Sequence, residues 1–100
     1  MKIYISLPIS GRPMDEVRDE SEKAKAAIEE LGYVPVSPLD VSPNPDAPYS
    51  EHIGKDISAL LECDAIVLLK GFLVSRGCLL EREAARIYGK QIFYWKELGL

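Results

Sequence analysis

The short apolar run from Ala65 to Leu69 is the feature that most constrains the fold of this 100-residue chain. The run is unbroken and rich in branched side chains, which is typical of a strand buried on both faces of a parallel sheet. Lys70 and Gly71 end it. Because such a strand needs a covering layer on each side, the run favours an α/β fold with helices on both faces of the sheet.

The rest of the chain alternates between strand-like and helix-like segments. Apolar strand patterns recur at 2–6, 33–36 and 91–95, and amphipathic helix patterns cover 13–31, 51–62 and 77–88. The tail 96–100 is too short to add an element. Alternating strands and helices demand parallel strands joined by right-handed crossovers. We therefore expect one domain over residues 1–100, a flavodoxin-like or Rossmann-like three-layer sandwich whose four-stranded parallel sheet has the order 2-1-3-4.

This strand order predicts where a ligand would bind. In this order the second strand lies on one side of the first strand, and the third and fourth strands lie on the other side. A crevice therefore opens between the first and third strands, at their carboxyl ends. The polar loops 6–12 and 70–77 both emerge there. The topology therefore predicts a site between these loops before any chemistry is considered.

A proline-rich segment, 37–50, separates the second strand from the next helix. It carries four prolines, which stiffen it. Loops of this length in a compact domain are often functional. We interpret the segment as a lid or an oligomer contact, with surface connection as the alternative.

Composition excludes several classes of function. The net charge is −4 without a basic run, which argues against nucleic-acid polymers and anionic membranes as partners. Cys63 and Cys78 have no metal-ligand spacing and are expected to be free thiols, and His52 is the only histidine. We therefore expect no metal and no cofactor. In the absence of a signal-like or membrane-spanning apolar segment, we expect a cytoplasmic protein.

Glu81 is the one charge that breaks the pattern of its helix. Steps of three and four residues from Glu81 reach Gly77, Ala84, Ala85 and Tyr88, so its side chain lies on or beside the apolar face. One interpretation is a buried structural glutamate paired with an arginine or capping a turn. The other is a reactive carboxylate at the mouth of a cleft, kept ionised by the nearby helix N-terminus.

Two weaker signals accompany Glu81. Asp56 flanks the apolar stripe of its helix, which fits either a solvated helix charge or a second functional carboxylate. The first loop offers Ser6, Ser10, Gly11 and Arg12 just before a helix N-terminus, where backbone N–H groups favour an anion. An ordinary strand-to-helix turn is the alternative for this loop.

Taken together, these motifs resemble the nucleoside 2-deoxyribosyltransferase superfamily. The match spans nearly the whole chain, and its most specific parts are Ser75-x-Gly77-x-x-x-Glu81 and the placement of Asp56 eight residues before Asp64. The loop from Gly71 through Phe72 to Gly77 is similar to that of small uncharacterised members. The resemblance implies the fold expected above and a small-molecule nucleoside or nucleotide as partner.

The resemblance also implies roles for particular residues. Glu81 matches the nucleophile that forms a covalent glycosyl-enzyme intermediate, and Asp56 matches the acid that assists the leaving base or incoming acceptor. Tyr4 matches an aromatic of the pocket. Ser75 resembles the serine of 2'-deoxynucleoside 5'-phosphate N-hydrolases, whose loop helps to bind phosphate. The substrate-binding set implied is Tyr4, Ser6, Ser10, Gly11, Arg12, Phe72, Ser75 and Gly77.

Three functions remain open from the sequence. The first is cleavage or transfer at the N-glycosidic bond of a (deoxy)nucleoside or its 5'-monophosphate. The second is a non-catalytic nucleotide-binding or sensing module that uses the same crevice. The third is a structural or interaction protein in which salt bridges satisfy Asp56 and Glu81. For the first two we expect a homodimer or higher homo-oligomer, because a domain this small leaves its crevice open on one side.

Overall fold

Four parallel strands form one sheet in the computed structural model, which describes residues 1–100. The elements follow in the order β1 (Lys2–Ser6), α1 (Met14–Glu30), β2 (Val34–Val36), α2 (Pro38–Val41), α3 (Tyr49–Leu61), β3 (Ala65–Leu68), α4 (Arg76–Ile87) and β4 (Gln91–Tyr94). Single 3₁₀ turns cover Phe72–Val74 and Trp95–Leu98. The sheet order is β2-β1-β3-β4 with every pair parallel, which confirms the predicted topology.

The two central strands divide the core into two layers. Alternate residues of a strand point to opposite faces, so Ile3 and Ile5 join the layer beneath α1 while Tyr4 joins the layer beneath α3 and α4. All four residues of β3 are buried, as its unbroken apolar run predicts. Helices on both faces complete the three-layer sandwich expected from the sequence.

The helices present the faces that their sequences predict. Helix α1 buries Val17, Ser21, Ala24 and Ile28. On the other side of the sheet, α4 buries Cys78, Glu81 and Ala85. Glu81 therefore lies inward, among apolar neighbours, at the position that the helical spacing predicted. None of the helices combines the length and the apolar character that crossing a membrane would require.

The proline-rich segment has more structure than the sequence suggested. Ser37 caps the short helix α2, with Pro38 in its first turn, and α3 begins at Tyr49 rather than Glu51. Two contacts fix α2 to α1: the hydroxyls of Ser21 and Ser37 lie 2.7 Å apart, and Lys25 Nζ lies 2.6 Å from a carboxylate oxygen of Asp40. This part of the segment is therefore held in place against α1.

The end of the chain also differs from the sequence prediction. Residues Trp95–Leu98 form a 3₁₀ turn, which Glu97 caps by accepting a hydrogen bond from Tyr94 N. The Trp95 indole packs against the core layer beneath α1, and the ammonium groups of Lys70 and Lys96 lie 6.0 and 5.2 Å from its ring centroid. The prediction that this tail adds no element was therefore wrong.

Candidate active site

A cleft of about 1170 Å³ opens at the carboxyl ends of the strands. Its walls come from the loop after β1, from α2 and the residues that follow it, from one face of α3, and from the start of α4. This is the crevice that the strand order predicted. Six of the predicted site residues line it: Ser10, Arg12, Asp56, Ser75, Gly77 and Glu81.

Glu81 lies at the buried end of this cleft and is held by two hydroxyl groups. Glu81 is only 4% exposed to solvent. Tyr4 donates a hydrogen bond to Oε2 and Ser6 donates one to Oε1, each over 2.6 Å. Tyr4 and Ser6 are two apart on β1, so both side chains point to the same face of the sheet. The strand thereby fixes both oxygens of one carboxylate.

Burial raises the pKa of Glu81 to about 7, and the hydrogen bonds from Ser6 and Tyr4 oppose this rise because they favour the charged form. The pKa of Tyr4 is also raised, first by its own burial and then by the negative charge of Glu81. Tyr4 therefore stays a proton donor to the carboxylate. Near neutral pH, Glu81 exists in both protonation states.

The start of α4 sets the position of Glu81. The Ser75 hydroxyl caps the helix by accepting a hydrogen bond from Cys78 N over 3.2 Å. A Cβ on Gly77 would lie 3.4 Å from the Tyr49 hydroxyl, so the starts of α3 and α4 approach each other closely at this rim. Glu81 follows in the second helical turn, facing the strand ends.

Asp56 is the second carboxyl group of the cleft, and it makes no hydrogen bond. It is 8% exposed, and its Oδ1 is fully buried without a partner. Burial raises its pKa to about 6, and the nearby His52 opposes this rise. Buried polar atoms are normally paired, so an orphaned carboxyl at a cleft points to a ligand group that would complete it.

Neither carboxyl group lies in a salt bridge. Glu81 accepts hydrogen bonds only from hydroxyl groups, and the Asp56 carboxyl has no hydrogen-bond partner. The ion pairs of the protein involve other acidic residues. The interpretation in which salt bridges satisfy both Asp56 and Glu81 is therefore wrong.

Arg12 lines the cleft, but its guanidinium already has partners. It donates to both carboxylate oxygens of Glu20, to Glu16 and to the carbonyl oxygen of Pro8. These bonds raise its pKa further. The acidic partners neutralise most of the charge that a bound anion would meet, so Arg12 mainly holds the first loop against α1.

Four other predicted residues do not line the cleft. Tyr4 and Ser6 lie fully buried beneath it and reach it only through Glu81. Gly11 forms the turn after Ser10 with a φ of 77°. Phe72 packs against the core layer beneath α4, with Tyr94 and the Arg82 guanidinium each 5.4 Å from its ring.

The structure adds residues to the site that the sequence did not single out. Tyr49, His52 and Asp56 share one face of α3, at spacings of three and four residues, and all three line the cleft. That spacing was a readable signal for His52. Arg76, in the first turn of α4, lines the cleft and has no ion-pair partner. No three His, Cys, Asp or Glu side chains are grouped so as to hold a metal ion.

Solved structures with the same fold include enzymes of nucleoside chemistry. A 2-deoxyribosyltransferase from Bacillus psychrosaccharolyticus matches with a TM-score of 0.73 and 20% identity, over 94% of this chain and 71% of that one. A CMP N-glycosidase from Clostridium botulinum matches with a TM-score of 0.65 and 21% identity, over 94% and 70%. A Leishmania mexicana 2-deoxyribosyltransferase matches with a TM-score of 0.73 and 24% identity, over 93% and 62%.

These likenesses confirm the fold that the resemblance implied, namely that of the nucleoside 2-deoxyribosyltransferases. No curated protein sequence matches the chain. A family model, by contrast, covers nearly all of it, from residue 1 to residue 94. The chain therefore belongs to the family described as Domain of unknown function (DUF4406).

Proposed function

We propose that this protein cleaves, or transfers at, the N-glycosidic bond of a (deoxy)nucleoside or nucleoside 5'-monophosphate. The observation that carries the proposal is the pair of buried carboxyl groups in one cleft: Glu81 held by two hydroxyls and Asp56 without a partner. The fold shared with deoxyribosyltransferases and a CMP N-glycosidase supports the same chemistry.

In the first step, Glu81 is the nucleophile. An oxygen of its carboxylate attacks the anomeric carbon, and the bond between that carbon and the base nitrogen breaks. The electron pair of this bond goes to the base nitrogen, which takes a proton from Asp56. The hydrogen bonds from Tyr4 and Ser6 hold Glu81 in one orientation, which reduces the reorganisation needed for attack. The products are a free base and a covalent glycosyl-enzyme.

In the second step, Asp56 acts as a base. A water molecule, or the nitrogen of an acceptor base, attacks the anomeric carbon and gives its proton to Asp56, while the bond to Glu81 breaks and its electrons return to the carboxylate. Asp56 thus needs both protonation states in one cycle. With a pKa of about 6, Asp56 populates both its protonated and its ionised form near neutral pH, so it can give a proton in one step and accept one in the next.

For a 5'-phosphate, the start of α4 supplies the donors. We propose that Ser75, Gly77 and the cationic Arg76 contact the phosphate at this helix N-terminus, with Ser10 on the opposite loop. Gly11 and Arg12 shape that loop. Arg76 has a guanidinium free of carboxylates, whereas Arg12 is already paired. Phosphate affinity is therefore expected to depend more on Arg76 than on Arg12.

We also propose that the protein forms a homodimer. Apolar side chains stand exposed on the 3₁₀ turn before α4, on α4 itself and just after it. They include Val74, which is 91% exposed, Leu80, Ile87 and Tyr88. Val74 and Leu80 also line the cleft, so a partner on this surface would shelter its open side. The molecular mass in solution tests this, and a monomer at micromolar concentration would contradict it. The cytoplasmic location stays a prediction.

The function is tested by incubating the protein with deoxynucleosides, ribonucleosides and their 5'-monophosphates, with and without a free acceptor base. Release of base, followed by chromatography, is expected with the unaltered protein and absent with Glu81→Gln. Exchange that requires the acceptor would identify a transferase. If no substrate reacts while a nucleotide still raises the melting temperature, the non-catalytic sensing function replaces this proposal.

A further inference from the structure

His52, the only histidine, has no role in the two steps described above, yet it lines the cleft. It lies one helical turn before Asp56 on the same face of α3. Its ring nitrogen Nδ1 lies 2.5 Å from the hydroxyl oxygen of Ser42, and its Nε2 makes no hydrogen bond within the protein. The ring is thus anchored at one nitrogen and free at the other.

Ser42 is well placed to fix this ring. It is almost fully buried at the end of α2, and its hydroxyl has no other side-chain partner. Helix α2 is itself fixed to α1 through Ser37 and Asp40. Because the anchor belongs to a held element, the imidazole keeps its place on the cleft wall near Asp56.

The groups that face Asp56 are mostly acidic. Strand β1 presents the Tyr4 hydroxyl, α4 presents the Glu81 carboxyl, and α3 presents His52. Lys55, which is next to Asp56 in sequence, is exposed and pairs with Glu51. His52 is therefore the one group among them that can place a positive charge near this buried carboxyl.

We propose that His52 is a positioning residue that keeps Asp56 able to accept a proton in the second step, after it has given one to the leaving base in the first. The inference rests on the proposed function. Burial favours the neutral acid, which is the form needed for departure of the base. A positive charge on His52 favours the carboxylate, which is the form needed when water or an acceptor gives up its proton. Without His52, the Asp56 carboxylate left by the first step would more readily take up a proton from solvent, and less of it would be available as the base of the second step.

The first test measures the titration of Asp56 directly. Its carboxyl carbon is followed by NMR across pH in the unaltered protein and in His52→Gln, and Asp56→Asn identifies the signal. Glutamine can still bond Ser42 but carries no charge. The titration midpoint of Asp56 is expected to rise by about half a pH unit or more in His52→Gln. Ser42→Ala keeps the imidazole but frees it, so a smaller rise is expected.

An unchanged midpoint in folded His52→Gln would overturn the inference and leave His52 as a structural link between α2 and α3. If His52→Gln does not fold, Ser42→Ala decides: a midpoint equal to that of the unaltered protein overturns the proposal. This measurement needs no substrate. A shifted midpoint in a protein that releases no base would refute the proposed function while leaving the link between His52 and Asp56 intact.

The second test separates the two steps. In His52→Gln, the first burst of base release is expected to stay within about threefold of the unaltered protein, whereas steady turnover falls about tenfold because the second step is slow. The acidic limb of the pH profile for turnover should move to higher pH. An equal loss in both steps, without movement of that limb, would contradict a role through Asp56.

Discussion

The two carboxyl groups of the cleft are similarly buried but differently held. Glu81 has a hydroxyl on each oxygen, whereas Asp56 has no hydrogen bond at all. Burial raises the pKa of both groups, to about 7 and about 6. A fully bonded carboxylate is fixed in place by the protein, and an orphaned one retains unused capacity for a ligand. Under the proposed function, the first arrangement suits a group that attacks and the second suits a group that exchanges protons.

The largest expected difference is in catalysis. Glu81→Gln should lower base release at least about 10³-fold, because no nucleophile remains, whereas Asp56→Asn should lower it about 10²-fold. A substrate whose leaving group needs little protonation sharpens the contrast. With such a substrate, the Asp56→Asn loss should shrink below about tenfold for the first step and the Glu81→Gln loss should persist. Equal rescue of both variants would contradict the assigned roles.

The next difference is in the pH dependence of stability. A carboxyl group whose pKa is raised on folding binds more protons in the folded state, so the free energy of unfolding falls as pH rises through its window. For Asp56 the window runs from 3.8 to about 6, and for Glu81 from 4.5 to about 7. The decrease between pH 6 and pH 7 therefore comes mainly from Glu81.

Over its whole window, Glu81 should cost about 3 kcal/mol of stability. Denaturant unfolding at a series of pH values measures this. Glu81→Gln should remove the decrease above pH 6, and Asp56→Asn should remove only the part below it. A Glu81→Gln profile that still falls between pH 6 and pH 7 would show that another group carries the effect.

A smaller difference concerns truncation at pH 5, where Glu81 is mostly protonated. Glu81→Ala leaves the Tyr4 and Ser6 hydroxyls buried without partners, so the free energy of unfolding should fall by about 2 kcal/mol. Asp56→Ala leaves no other polar group without a partner, because Asp56 has none. The free energy of unfolding should therefore fall by less than about 1 kcal/mol. Glu83→Ala, on the exposed face of α4, is a control for helix propensity. Equal costs at 56 and 81 would contradict the difference in bonding.

The smallest effect is expected from the donors to Glu81. Tyr4→Phe removes one hydrogen bond to the charged form, so the pKa of Glu81 should rise further and stability should fall by about 1 kcal/mol. The pH at which base release reaches half its maximum should move upward. Tyr33→Phe, at an exposed tyrosine that makes no hydrogen bond to Glu81, is the matched control and should leave the profile unchanged.

Much of the fold followed from local sequence signals. The run Ala65 to Leu69 predicted the buried central strand, and alternation of strands and helices predicted the sheet order. The spacing around Glu81 predicted its inward position. Helix α2 was missed because four prolines suggested a loop, although Ser37 followed by Pro38 is a typical helix start. All of these features depend on residues that are close in sequence. The sequence therefore predicted most of them, and it contained the signal for α2 as well.

The bonding state of each site residue could not be predicted in this way. Which hydroxyls reach Glu81 depends on strand register and helix placement across about 75 residues of chain. Asp56 has no partner because none of the elements around it places a hydrogen-bond donor within reach of its carboxyl group, and this depends on how the whole domain packs. Arg12 is a partial exception, because its partners Glu16 and Glu20 follow it closely along the chain, in the first two turns of α1.

The position of the single tryptophan gives this protein a built-in optical reporter. Trp95 lies beside the ammonium groups of two lysines, packs on the core layer beneath α1 and does not line the cleft. Its emission should therefore change when the sheet and α1 separate, with little direct quenching by a bound nucleotide. Fluorescence can follow unfolding of every variant above in the presence of a strongly absorbing ligand, provided excitation is set beyond the absorption band of the base.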